Sequence, residues 1–108
     1  MDAYDLRACG ARPRQPAVLA SHPEARAVVV ELDAGELLED HQVHERAWVV
    51  VIDGEAQLSA GSAAQRAGPG TLAVFAPRER HEVRALTATR LLLLLAPWPG
   101  DGHPGSPG

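Results

Sequence analysis

Lysine is absent, and all ten basic residues of this 108-residue chain are arginines. With fourteen Asp and Glu, the formal net charge is -4, so the broad basic face of a nucleic-acid binder is not expected. Cys9 is the single cysteine, which excludes an intrachain disulfide and a thiolate metal cluster. Nothing near it in sequence would activate the thiol for catalysis. Aromatic residues make up 4% of the chain, so Val, Leu and Ala must fill the interior. The longest purely aliphatic run, Leu91 to Ala96, is far shorter than the roughly 20 residues needed to span a bilayer. The start, MDAYDLRACG, lacks the basic-then-apolar plan of a signal peptide. A soluble cytoplasmic protein is the expectation. No amphipathic stretch of helical period runs for ten residues, so an all-α fold is excluded as well.

What the chain does carry is many short strand signals punctuated by glycine. Ala17–Ala20, Ala27–Leu32, Glu36–His41, Ala47–Ile52, Glu55–Ser59, Ala64–Ala67, Thr71–Ala76, Glu82–Leu86 and Thr89–Ala96 read as strands. Asp53-Gly54 reads as a hairpin turn between the fourth and fifth of them. Residues 1–16 form a short flexible arm, residues 17–97 one all-β antiparallel domain, and residues 98–108 a flexible Pro/Gly-rich tail. The segment AWVVVI is apolar on both faces, so it should be covered on both. Trp48, Val50 and Ile52 would form an outward row suited to pairing of two copies.

Two segments join glycine, histidine and strand: GELLEDHQVHERAWVVVIDG, from Gly35 to Gly54, and GTLAVFAPRERH, from Gly70 to His81. Their spacing resembles the paired motifs of the cupin superfamily, over about 70 residues from Ala27 to Ala96. Gly35, His41 and Gly54 match the first motif, and Gly70 and His81 match the second. Family spacing would place a second histidine at Val43 and a glutamate at Ala47, whereas this chain has His44 and Glu45. In the second motif Ala76 replaces a proline and Arg78 replaces a glycine.

The resemblance implies an antiparallel jelly-roll β-barrel with a small-molecule site inside, in a small homodimeric protein; the charge balance and the short aliphatic run leave neither nucleic acid nor a membrane as an expected partner. His41 and His81 are its implied ligands for one divalent metal (Fe, Mn, Ni or Zn), with His44 or Glu45 as the third. Strict alternation puts Glu45 on the face of His41 and His44 on the opposite one. Val43, Ala47 and Val49 are expected to line the cavity, and Arg80 offers a bidentate seat for a carboxylate or phosphate. Three functions follow from such a site: metal-dependent oxygenase, isomerase or lyase-type chemistry, metal-free binding or sensing of a small ligand, and metal-free acid–base catalysis. The residues leave the choice open.

Overall fold

The computed structural model describes residues 1–38 and 46–96. These residues form nine strands and no helix: β1 (Ala17–His22), β2 (Ala25–Leu32), β3 (Leu37–Leu38), β4 (Arg46–Asp53), β5 (Ala56–Ala60), β6 (Ala63–Ala67), β7 (Leu72–Phe75), β8 (His81–Ala85) and β9 (Thr89–Ala96). Every expected strand has a counterpart, and β9 has the expected bounds. All named strand pairs are antiparallel. They assemble as a five-stranded sheet, β1-β2-β9-β4-β7, and a four-stranded sheet, β3-β8-β5-β6. Because the chain crosses between the two sheets at every connection except β1–β2 and β5–β6, the architecture is that of a β-barrel jelly roll. No helix among the described residues is long and apolar enough to cross a membrane.

The core lies between the sheets and follows from strand alternation. In β4, Ala47, Val49 and Val51 are each 1% exposed, whereas Trp48 between them is 37% exposed. Val83 and Ala85 of β8, Ala56 and Leu58 of β5, and Leu91 of β9 close on the same interior. Burying an aliphatic side chain of this size contributes about 1.5–3 kcal/mol, so this layer dominates the stability.

The structure corrects the expected hairpin at Asp53-Gly54. β4 pairs with β7 and β9, while β5 pairs with β6 and β8, so the chain crosses there from one sheet to the other. Gly54 has φ +90°, and a Cβ on it would collide with the Ala88 carbonyl oxygen and lie 2.8 Å from Thr89 Cα. The glycine permits a close crossing under the turn that leads into β9. Just after it, the Glu55 carbonyl accepts from the amides of Leu86 and Thr87 and from the buried Thr89 hydroxyl.

The N-terminal arm is fastened to the five-stranded sheet. Val29 falls on the outer side of β2, opposite in parity to the core residues Val28 and Val30, yet it is fully buried. Ala11 of the arm is buried too, and Pro13 forms a parallel bridge to Glu31, so the arm covers this part of the outer face. Arg90 holds it there. Its guanidinium donates to the carbonyls of Leu6 and Cys9 at 3.1 Å and of Ala11 at 3.4 Å, and pairs with Glu31 at 3.0 Å.

Candidate functional site at the His81 end of the barrel

His81 opens β8, and its position follows from the register. It pairs with Ala60 at the end of β5 and shares parity with the core residues Val83 and Ala85. The ring therefore stands at the end of the barrel interior, half-buried. It stacks on Phe75, the last residue of β7, with ring centroids 4.1 Å apart and planes 11° from parallel. Phe75 is itself 6% exposed and part of the core. His81 Nδ1 lies 3.2 Å from the Glu79 carbonyl oxygen. A carbonyl only accepts, so this contact is a hydrogen bond in the tautomer that carries a proton on Nδ1.

The connection from β7 to β8 is a turn over Ala76-Pro77-Arg78-Glu79, closed by the Glu79 amide donating to the Ala76 carbonyl at 3.1 Å. The Glu79 carboxylate accepts from the Ala76 amide at 2.8 Å. Proline at the second position and φ +65° at Arg78 in the third are the conformation of a type II turn, which favours glycine there. The turn directs the exposed Arg78, Glu79 and Arg80 away from the interior.

Beside this pair lies a recess of about 170 Å³ between the β5–β6 hairpin and β7. β6 and β7 are the edge strands of their sheets, and small side chains leave the space between them open. Leu58 and Phe75 form the buried floor, Ala60 and Ala73 the walls, and Ala63 and Gln65 the exposed rim. Among the described residues its lining includes no charged side chain.

The residues expected from the sequence fall into three groups. His81 is at the site. Ala47 and Val49 face inward as alternation requires, but both are buried in the core and neither lines this recess. Arg80 is exposed on the loop before β8. His41, Val43, His44 and Glu45 lie outside the described residues. As to a metal, an imidazole whose Nδ1 lies against a backbone carbonyl, as that of His81 does, is oriented in the way metal-ligating histidines commonly are. Among the described residues no group of three or more His, Cys, Asp or Glu side chains stands together to hold an ion. Completing a site would therefore require the 39–45 segment.

Sequence reasoning missed Phe75 and the recess. Alternation along β7 places Phe75 and Ala73 inward. That the alanines of β5 and β6 stand opposite them depends on how two sheets face each other. A cluster of inward alanines at 60, 63 and 73 was the available signal.

The barrel agrees with what the chain is similar to. A search of curated proteins finds no match. Among solved structures, an RmlC-like cupin from Desulfovibrio desulfuricans superposes with a TM-score of 0.77 at 24% identity, covering 89% of this chain and 96% of that one. A conserved protein of unknown function from Streptococcus pyogenes gives 0.76 at 21% identity, covering 93% and 90%. KdgF from a Halomonas species gives 0.69 at 24% identity, covering 76% and 78%. The family model described as the cupin domain matches residues 28–97, which include both glycine–histidine segments and the His81 end of the barrel, and the chain belongs to that family.

Proposed function

We propose that this cupin-domain protein binds a small organic molecule at the barrel end where His81 meets Phe75. One observation carries the reading: an ordered imidazole, stacked and hydrogen-bonded, stands beside an apolar recess that opens to solvent. Apolar walls with a few convergent polar groups are the usual make-up of a small-molecule site. The test is an NMR-detected screen of small organic molecules against the full chain. Hits should perturb Phe75 and His81, and His81→Gln should weaken them at least fivefold without moving the unfolding midpoint. Perturbations scattered over the surface, or none from any compound, would rule the site out.

The Nδ1–carbonyl hydrogen bond favours a second reading, in which His81 and His41, with His44 or Glu45, hold one Fe, Mn, Ni or Zn ion. Bound there, the ion would polarise the organic molecule. Untagged protein is expected to carry about one equivalent of metal. The His41→Ala/His81→Ala variant should carry none. Wild-type protein that stays metal-free after reloading would sink this reading.

The molecule is also proposed to pair with a second copy. Leu94, Trp48 and Val74 align across β9, β4 and β7, and Leu92, Val50 and Leu72 form a parallel row. Trp48, Leu72 and Val74 are 37%, 53% and 45% exposed. Both rows are uncharged. Such a patch is complementary to its own copy, whereas a patch of one sign would repel it.

A further inference from the structure

The recess beside His81 owes its shape to what the surrounding strands lack. Ala60 of β5 pairs with Ala63 of β6, and Ala73 of β7 pairs with Val49 of β4. A leucine at Ala73 or Ala63 would occupy much of the space that these alanines leave. The floor, Leu58 and Phe75, is 7% and 6% exposed, so an occupant would sit against side chains already withdrawn from water. Phe75 is the shared wall, touching the recess on one side and the His81 ring on another.

Resting on the small-molecule reading above, we propose that this recess takes an uncharged organic group about the size of one six-membered ring, packed against Phe75. Size and chemistry agree on this. An apolar protein cavity of about 150 Å³ is large enough for benzene, and this one is about 170 Å³. Among the described residues of its lining none is charged, and Gln65, on the inward parity of Ala63 and Ala67, brings a neutral amide. A charged group entering here would leave water without gaining a charged partner among the described residues of the lining. The recess therefore discriminates against carboxylates and phosphates, and the exposed Arg80 stands outside its lining.

The test compares benzyl alcohol with benzoate and benzylammonium, using methyl signals of Ala60 and Ala73 and ring signals of His81 in the full-length protein. Benzyl alcohol is expected to shift all three sets together. Both ions should bind at least tenfold more weakly at the alanine methyls. Ala73→Leu should abolish the response while leaving the unfolding midpoint unchanged or higher, because it fills existing space. Ala63→Leu, at the exposed rim, provides the same test if Ala73→Leu does not fold. The inference is overturned if benzoate binds as tightly as benzyl alcohol, if the folded leucine variants keep the response, or if none of the three probes moves the alanine methyls at millimolar concentration. Perturbation of His81 without the alanine methyls would overturn it and leave the wider reading standing. That reading fails separately, when no compound of the broader screen reaches His81.

Discussion

Gly54 and Arg78 both have positive φ, +90° and +65°, yet a side chain costs very different amounts at the two positions. At Gly54 an added Cβ meets the backbone of Ala88 and Thr89, which cannot move without shifting the start of β9. Gly54→Ala should therefore cost more than the ordinary strain of a left-handed alanine, about 2 kcal/mol or more. Urea unfolding would measure this, and a loss under about 1 kcal/mol would show that the crossing relaxes. Arg78 carries the strain already, in an exposed turn. Arg78→Gly should raise stability by about 0.5–1 kcal/mol, read as a higher unfolding midpoint. An unchanged or lower midpoint would mean that the arginine side chain contributes contacts that offset its backbone.

At the scale of elements, one residue of the sheet, Arg90, donates to three carbonyls of the arm. Glu31, Arg90 and Asp53 are neighbours across β2, β9 and β4, and Arg90 turns its guanidinium from this row onto the arm. Its side chain is 13% exposed and that of Glu31 is 23%, so the pair is only weakly screened by water. Arg90→Met keeps the length and removes every donor. It should cost about 2 kcal/mol, with faster hydrogen exchange at the Ala11 and Arg12 amides and little change inside β9. Exchange that stays slow at those amides would mean that Ala11 packing holds the arm without the arginine. By contrast, Arg7 and Asp53 are 3.9 Å apart with side chains 71% and 54% exposed. Arg7→Ala should change stability by no more than about 0.5 kcal/mol.

For the whole molecule, the open question is what covers the outer face of the five-stranded sheet. The arm covers Val29, while Trp48, Leu72 and Val74 remain exposed. Light scattering at micromolar concentration is expected to give twice the 11.4 kDa chain mass. Val74→Asp should weaken pairing at least tenfold, since it brings two carboxylates together across a two-fold axis. A monomeric wild type would remove the dimer from the account.

Several features were determined by the sequence itself. Alternation in β4 told Val49 from Trp48, and the spacing of Gly35, Gly54, Gly70 and His81 pointed to the barrel. These features are local: side chains reverse direction at each strand residue, and a turn needing positive φ selects glycine within a few positions. Three other features were decided only in three dimensions. Asp53-Gly54 joins two sheets instead of making a hairpin, because β4 pairs with β7 and β9 whereas β5 pairs with β6 and β8. Arg90 clasps residues some eighty positions earlier. The recess forms because alanines of β5, β6 and β7 face a common gap, next to the stack that Phe75 makes with His81. Each depends on which strands become neighbours, and that is settled by the packing of the two sheets around one core.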